Sequence, residues 1–331
     1  MRRVLVSSRT FGGIVRSGED ILTQGGFRIK FIGKEERPID EMKMELIFSR
    51  ENPDVIISGA EPITKDVLKA SDRLRMIMKH GTGIDNIDIE AATARNILVA
   101  NAPGTNTDAV ADLTIAVILV LLRGICQTSH LTKIGGWDQY IGNELGQMTL
   151  GIIGTGKIGA GIIKRLQGFE PAILAFDIIR NQDLESKYQF KYVTLEELLT
   201  NSDIVTLHVP LTEETRNIIG VHELKLMKKS AYIVNIARGE LIDEAALYDC
   251  LKENHIAGAA LDVFSTEPPQ NSPLLKLQNV LATPHIGAYT YEAMERMDRT
   301  CGEVIIDTFR GNLTSNILNP EVFESLTHDN A

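Results

Sequence analysis

The chain has 331 residues, of which 44% are hydrophobic and 24% charged, a composition typical of globular proteins that excludes a fibrous or largely disordered one. Its formal net charge of −10 at pH 7, with no basic stripe, argues against nucleic acid as a partner. Cys126, Cys250 and Cys301 are too widely spaced for a zinc or redox pair, which predicts no metal site and reduced thiols in the cytoplasm.

The N-terminus and the longest apolar run both argue against a membrane protein. The opening residues, MRRVLVSS, become polar too soon for a signal peptide. The run Ala109–Leu122 contains Asp112 and is shorter than the about 20 residues that a helix needs to cross a bilayer. A buried helix is predicted there instead.

The first hundred residues alternate short apolar runs with helical stretches. Such alternation predicts a parallel sheet with helices on both faces. The predicted strands are Val4–Ser7, Phe27–Ile32, Asp54–Ser58, Arg75–Met78 and Ile97–Ala100. The predicted helices lie near Gly18–Gly25, Ile39–Arg50, Thr64–Ala70 and Ile89–Arg95.

A long helix and then a second alternating block follow. The helix is predicted from Thr107, as N-cap, to beyond Leu122. The strands of the second block are predicted at Thr149–Ile153, Ala172–Phe176, Ile204–Leu207, Tyr232–Asn235, Ile256–Leu261 and Val280–Ala282. Another long helix, from about Thr290 to Arg310, suggests that the C-terminus returns to the first of two domains.

The sharpest local motif is GIIGTGKIG, an apolar strand followed by G-x-G-x-x-G and a helix. Gly154 permits a tight turn, Gly156 admits a pyrophosphate close to the backbone, and Gly159 allows the helix to pack on the strand. The next strand ends in Asp177, near the spacing expected of the acid that binds ribose hydroxyls. A carboxylate there favours NAD over NADP, although Arg180 nearby leaves room for NADP.

Three later strings place reactive side chains at predicted strand ends, where ligands bind in open α/β sheets. Arg238 suits the binding of a substrate carboxylate and the polarisation of a carbonyl. His285 suits proton transfer, because the ordinary pKa of an imidazole is about 6.5, and Glu267 suits the stabilisation of the protonated ring. Each residue alone has an ordinary structural explanation, but their joint occurrence after a dinucleotide motif favours hydride transfer to a 2-keto acid.

These strings resemble the D-isomer-specific 2-hydroxyacid dehydrogenase family over nearly the whole chain. The matching strings are HGTGIDNIDIEAA, NAPGTNTDAVADLTIAVIL, GIIGTGKIG, HVPLTEETRNIIG, NIARGELIDEAAL, GAALDVFSTEP and TPHIGA. The resemblance implies an α/β fold of two Rossmann-like, doubly wound parallel-sheet domains with a cleft between them. Residues 1–101 and 288–331 would form the substrate domain, and residues 102–287 the NAD-binding domain.

The resemblance also implies a set of site residues, with Arg238, Glu267 and His285 as the catalytic ones. Asp262 would lie near the nicotinamide, and His208 would line the cofactor site or serve a structural role. The predicted cofactor-binding residues are Gly154, Gly156, Lys157, Ile158, Gly159, Asp177, His208, Val209, Pro210, Ile236, Ala237, Asp262, Gly287 and Ala288. The predicted substrate-binding residues are Lys79, His80, Gly81, Thr82 and Gly83, of which the last three would receive the substrate carboxylate.

The sequence favours one substrate but leaves other substrates as alternatives. The strings are most similar to the phosphoglycerate branch, which favours 3-phosphoglycerate and serine biosynthesis over glyoxylate or hydroxypyruvate. However, Ser58 stands where that branch tends to have an arginine, and Glu61 nearby would repel a phosphate. Lys79 and His80 would then bind the phosphate, or else form a solvated loop pair. The family is usually dimeric through the cofactor domain, so a homodimer is expected.

Two other functions remain as alternatives. One branch of the family resembles NAD-sensing corepressors that keep the catalytic residues but act by binding partners. A related Rossmann enzyme acting on formate or phosphite is a third interpretation, which Glu267 disfavours because formate enzymes usually have Gln at this place.

Overall fold

The computed structural model describes residues 1–323, which form two α/β units. The first unit contains residues 1–106 and the C-terminal segment from Tyr289, and the second contains Thr107–Ala288. The sequence places these limits after residues 101 and 287. Each unit is built on one parallel sheet, so the predicted fold class is confirmed.

The sheet of the first unit has five strands in the order β2-β1-β3-β4-β5. These are β1 (Arg3–Val6), β2 (Arg28–Phe31), β3 (Val55–Ser58), β4 (Met76–Lys79) and β5 (Leu98–Ala100). The connecting helices are α1 (Ser17–Gln24), α2 (Glu41–Glu51), α3 (Lys65–Lys69) and α4 (Ile89–Ala94). All residues of β3 and β4 are buried, as expected for parallel strands that helices cover on both faces.

Side-chain caps begin three of these helices. Asp40 accepts a hydrogen bond from the Lys43 N–H at 2.9 Å, and Thr64 and Asp88 cap α3 and α4 in the same way. Each cap satisfies a backbone N–H that has no partner within the helix. Each of these helices therefore begins directly after a polar residue whose side chain caps it.

The second unit contains a seven-stranded parallel sheet in the order β12-β11-β10-β9-β6-β7-β8. Its strands are β6 (Thr149–Ile153), β7 (Ala172–Phe176), β8 (Lys191–Tyr192), β9 (Ile204–Leu207), β10 (Tyr232–Asn235), β11 (Gly258–Leu261) and β12 (Val280–Ala282). Its helices are α5 (Thr107–Leu122), α6 (Ile125–Lys133), α7 (Lys157–Leu166), α8 (Gln182–Tyr188), α9 (Leu195–Asn201), α10 (Val221–Leu226) and α11 (Glu244–Lys252). The sequence analysis missed β8, which is only two residues long.

Helix α5 is a core element of the second unit. It begins at Thr107, so the prediction that Thr107 is the N-cap is wrong by one position. Its inward face packs with α7 on one side of the sheet, in a cluster that includes Ile118, Leu150 and Ile163. Within residues 1–323 no single helix is long and apolar enough to cross a membrane, and only α5 with α6, bent by 63°, meets that test as a pair.

The last helix, α12 (Tyr291–Phe309), belongs to the first unit and packs against α1. The two helices approach closely at two glycines. A Cβ atom on Gly18 would lie 2.3 Å from the Asp298 carbonyl oxygen, and one on Gly302 would lie 3.1 Å from the Gly18 oxygen. Short 3-10 turns complete the described chain at Lys34–Glu36, Leu145–Gln147, Gly239–Leu241, Pro273–Lys276 and Pro320–Val322.

Candidate active site

The predicted catalytic and cofactor residues all belong to the second unit and follow the carboxyl ends of adjacent strands. Asp177 follows β7, the glycine-rich turn follows β6, and His208 follows β9. Arg238 follows β10, and the loops after β11 and β12 carry Glu267 and His285. The chain order reverses between β6 and β9, which is where α/β sheets of this type bind ligands.

The glycine-rich turn has the backbone that a pyrophosphate requires. Gly154 has a φ of +96°, and a Cβ atom on it would lie 2.6 Å from the His208 carbonyl oxygen. A Cβ atom on Gly159 would lie 2.1 Å from the Gly154 oxygen, so the helix packs tightly on the turn. Gly156 has open space at its Cβ position and caps α7 without any side-chain bond. The first N–H groups of α7 therefore suit an anion.

Asp177 is fixed at the end of β7 by three hydrogen bonds. Its Oδ2 accepts from the Thr155 N–H at 2.6 Å and the Thr155 hydroxyl at 3.0 Å, and its Oδ1 accepts from the Ile179 N–H at 2.9 Å. The Thr155 hydroxyl also lies 2.8 Å from the Tyr192 hydroxyl, and Arg180 lies 5.7 Å from the Tyr192 ring centroid. The aspartate carboxylate thus lies beside the turn, and Arg180 is stacked on an aromatic ring.

His208 is a neutral group at the end of β9. Its Nε2 lies 2.8 Å from the Thr206 hydroxyl, whereas its buried Nδ1 has no hydrogen-bond partner in the described structure. Burial lowers the pKa of His208 to about 3. A neutral imidazole with an unsatisfied nitrogen beside the glycine-rich turn is compatible with both predicted roles of His208, in the cofactor wall or in the structure.

A buried asparagine, whose role the sequence analysis missed, shapes the loop that carries Arg238. Asn235 donates to the Arg238 carbonyl at 2.7 Å and accepts from the Ala237 N–H at 3.1 Å. A Cβ atom on Gly239 would lie 2.0 Å from the Phe264 carbonyl carbon, so this loop packs directly on the loop after β11. The only sequence signal for Asn235 is a polar residue at the end of an apolar strand.

Glu267 and His285 form a hydrogen-bonded pair. The Nδ1 atom of His285 lies 2.8 Å from Glu267 Oε2, and Glu267 Oε1 accepts from the Phe264 N–H at 3.1 Å. Burial alone raises the pKa of the Glu267 carboxyl. However, the hydrogen bond and charge of His285, the Phe264 N–H and the Arg238 charge together lower that pKa below its ordinary value. Glu267 is therefore a carboxylate at neutral pH.

Asp262 fixes the loop that carries His285. Its carboxylate accepts hydrogen bonds from the Ile286 N–H at 2.8 Å, the Gly287 N–H at 2.8 Å and the Thr283 hydroxyl at 2.6 Å. Its backbone oxygen accepts from the His285 N–H at 2.8 Å. His285 has a φ of +53°, a conformation that non-glycine residues rarely adopt, and these bonds hold it there.

The predicted substrate residues belong to the first unit, where Lys79 ends β4 and residues 80–83 follow it. The Nζ atom of Lys79 donates to the Gly59 carbonyl and, at 2.6 Å, to Asn86 Oδ1. The Nε2 atom of His80 lies 2.7 Å from Asp298 Oδ1. Because Lys79 and His80 are each only 8% exposed, the hypothesis that they form a solvated loop pair is wrong.

The loop of Gly81, Thr82 and Gly83 follows directly. Gly81 has a φ of +150° and donates its N–H to the Lys79 carbonyl at 3.0 Å. The Thr82 carbonyl accepts from Asn101 Nδ2 at 2.8 Å. The loop is therefore held at the carboxyl edge of the five-stranded sheet.

Glu61 differs from the sequence-based expectation. It forms an ion pair with Arg37 at 2.8 Å, and the side chains of Arg37 and Glu61 are only 14% and 8% exposed, respectively. It also accepts from the Ser7 hydroxyl at 2.9 Å and the Gly59 N–H at 3.0 Å. Because Arg37 matches the charge of Glu61, this carboxylate would repel a nearby phosphate less than an unpaired one would.

Comparison with known proteins agrees with this geometry. Residues 115–287 match the family model of the D-isomer specific 2-hydroxyacid dehydrogenase NAD-binding domain. The chain is 43% identical over 293 residues to D-3-phosphoglycerate dehydrogenase of Methanocaldococcus jannaschii, covering 87% of this chain but only 56% of that protein. It is 42% identical over 269 residues to glyoxylate reductase of Korarchaeum cryptofilum, covering 79% and 81%.

A solved structure gives the same result. The D-lactate dehydrogenase of Aquifex aeolicus, complexed with NAD and lactic acid, has a TM-score of 0.84 and 28% identity over 96% of this chain and 99% of that one. The sequence-based predictions of the family and of NAD as cofactor are thereby confirmed. The chain belongs to the D-isomer specific 2-hydroxyacid dehydrogenases, NAD-dependent enzymes that act on a CH–OH group.

Proposed function

We propose that the protein interconverts a small 2-keto acid and its D-2-hydroxy acid, with Arg238, Glu267 and His285 as the catalytic residues. The observation that carries this proposal is the 2.8 Å bond between His285 and Glu267, on loops neighbouring that of Arg238. Bound NAD supplies the hydride acceptor or, as NADH, the donor. The chain's own residues bind the substrate and move the proton.

His285 is the proposed proton donor and acceptor. Its Nδ1 is engaged by the Glu267 carboxylate, so Nε2 is the nitrogen that exchanges a proton with the substrate oxygen. In reduction the protonated ring gives the proton to the carbonyl oxygen, and in oxidation the neutral ring takes it from the hydroxyl. Glu267 stabilises the protonated ring because it remains ionised.

Arg238 is the proposed ligand of the substrate carboxylate and polarises the carbonyl. A guanidinium matches a carboxylate with two parallel hydrogen bonds, which fixes the orientation of the reacting carbon. Asn235 and Gly239 determine the path of the backbone on which Arg238 stands. Asp262 does the same for the backbone that carries His285. Asn235, Gly239 and Asp262 are therefore positioning residues rather than reacting groups.

The cofactor sites are proposed from the same edge. The backbone N–H groups from Gly156 to Gly159 would hold the pyrophosphate and Asp177 the ribose hydroxyls. The remaining predicted positions follow β9 to β12, towards the catalytic loops. The loop 81–83 of the first unit is proposed to bind the substrate carboxylate through backbone N–H groups.

For the substrate we propose 3-phosphoglycerate, in serine biosynthesis. The 43% identity to a phosphoglycerate dehydrogenase supports it, and the Arg37–Glu61 pair weakens one of the two arguments against it. The other argument stands, because Ser58 occupies the place where that branch tends to have an arginine. Glyoxylate or hydroxypyruvate is the second candidate, because the glyoxylate reductase of K. cryptofilum is 42% identical and is matched over 81% of its length.

NADH oxidation should be measured with 3-phosphohydroxypyruvate, hydroxypyruvate, glyoxylate, pyruvate, 2-ketoisocaproate and oxaloacetate. Preference for the phosphorylated acid would support the phosphoglycerate assignment. Turnover of glyoxylate or hydroxypyruvate alone would favour the second candidate. If every acid fails while NADH binds, an NAD-sensing protein that acts through partners becomes the better hypothesis.

We also propose a cytoplasmic homodimer that binds neither nucleic acid nor membrane. The segment after α6 exposes Ile134 (68%), Trp137 (80%) and Ile141 (96%), an apolar surface that pairing would cover. The three cysteines are free thiols, as expected in a reducing compartment, and the net charge of −10 disfavours polyanionic partners. Light scattering of wild type and Trp137→Asp would test the dimer.

A further inference from the structure

The loop after β1, which we call the β1 loop (Ser7–Gly13), is rigidly anchored. The Ser8 hydroxyl accepts the N–H groups of Thr10 and Phe11, each at 3.4 Å. Phe11 is only 1% exposed, and its ring packs edge-on against His80 with centroids 5.6 Å apart. The backbone on either side of Arg9 is therefore fixed by local bonds and by a buried aromatic ring.

A buried histidine joins the β1 loop to the loop after β4 and to α12. His80 Nδ1 lies 2.9 Å from the Ser8 hydroxyl and 3.3 Å from the Thr10 hydroxyl, and its Nε2 lies 2.7 Å from Asp298 Oδ1. Asp298 Oδ2 also accepts the Gly12 N–H at 2.8 Å. Ser8 and Thr10, which flank Arg9, thus both contact the residue that precedes Gly81.

Most charged groups around the β1 loop are already matched. Glu61 is paired with Arg37, Asp298 with His80, and the Lys79 ammonium binds Gly59 and Asn86. Arg9 is the exception, since it is exposed and makes no side-chain hydrogen bond or ion pair within residues 1–323. A rigid loop therefore presents one unmatched guanidinium at the carboxyl edge of the sheet.

We propose that Arg9 binds a second anionic group of the substrate, distant from the reacting carbon, and so determines which 2-keto acids are preferred. This inference rests on the proposed 2-hydroxyacid dehydrogenase function and deepens it. A guanidinium binds a phosphate or carboxylate through paired charged hydrogen bonds, and an anchored loop loses little entropy when it does so. The Gly81–Gly83 loop, proposed for the substrate carboxylate, is tied to the β1 loop through His80.

The test compares 3-phosphohydroxypyruvate with hydroxypyruvate, which differ only in the phosphate. We expect Arg9→Gln to lower kcat/KM for the phosphorylated acid about 10- to 100-fold, mainly through KM, and to change that for hydroxypyruvate less than about 2-fold. Arg9→Lys should recover part of the loss, because lysine restores the positive charge but not the paired N–H donors of the guanidinium. Arg28→Gln is the matched control, since Arg28 is exposed at the opposite edge of the same sheet.

Oxaloacetate and pyruvate repeat the comparison with a distal carboxylate in place of the phosphate, because pyruvate is the same 2-keto acid without that carboxylate. A selective loss in Arg9→Gln on either doubly anionic acid supports the inference and identifies the preferred anion. Equal losses on both members of each pair, or a wild type that does not prefer doubly anionic acids, would overturn the inference and leave the dehydrogenase proposal intact. A wild type that reduces no 2-keto acid would overturn both.

Discussion

At the carboxyl edge of the seven-stranded sheet, the reactive side chains come from short strings after successive strands. At the same edge of the five-stranded sheet, the polar side chains come from distant parts of the chain and mostly satisfy one another. His285 and Glu267 are 18 residues apart, whereas His80 and Asp298 are 218 residues apart. The carboxyl edge of the seven-stranded sheet therefore carries the reactive side chains. At the carboxyl edge of the five-stranded sheet, most polar side chains bind one another and stabilise the fold.

The largest effect is expected at His285. We predict that His285→Ala lowers turnover of the preferred 2-keto acid about 10³-fold, because the proton donor is lost, and leaves NADH affinity within about 2-fold. Steady-state kinetics and NADH fluorescence titration measure the two quantities. His255→Ala, at an exposed position of the same unit, is the control. Loss of NADH binding instead would make His285 a structural residue.

The buried pair of the first unit should affect stability more than the catalytic pair does. Asp298→Ala leaves His80 and the Gly12 N–H without their buried partner, so we expect the free energy of unfolding to fall by about 3 kcal/mol. Urea denaturation measures the change, with Asp72→Ala, a 96% exposed carboxylate, as the control. A change below about 0.5 kcal/mol would contradict the claim that the hydrogen bonds of Asp298 stabilise the first unit.

The side chains at the carboxyl edge of the seven-stranded sheet could be predicted from the sequence better than those at the carboxyl edge of the five-stranded sheet. The glycine-rich turn is local, and parallel strands bring their carboxyl ends together, so Gly154, Asp177, Arg238 and His285 can be placed at one edge from order alone. Nothing in spacing predicts that Arg37 neutralises Glu61, because two loops must fold before these residues meet. Strand β8 escaped detection because two residues carry no periodicity.

The pH dependence of Glu267→Gln sharpens the comparison at the catalytic edge. We expect kcat for reduction to fall about 10- to 100-fold. The pH at which the reduction rate declines should also move to lower values, because the protonated ring loses its carboxylate partner. A pH profile of kcat measures both effects. Glu240→Gln, on the neighbouring loop, serves as the control, and an unchanged profile would contradict the assigned role of Glu267.

The smallest effect concerns His208, which is neutral when folded, with a pKa of about 3. Because the unfolded chain takes up a proton near pH 6.5 and the folded chain does not, stability should fall with decreasing pH from about 6.5 towards 3. The slope per such group is at most about 1.4 kcal/mol per pH unit. His208→Gln should reduce this slope between about pH 6.5 and 5, where few carboxylates titrate. The exposed His222→Gln should not, and equal slopes for both variants would contradict the assignment.

The central claim is most directly tested by the stereochemistry and stoichiometry of the wild-type reaction. NADH consumption is followed by absorbance with the preferred 2-keto acid, and the product is separated by chiral chromatography. We expect one D-2-hydroxy acid to form for each NADH oxidised. An L-product, or bound NADH that is not consumed with any 2-keto acid, would contradict it.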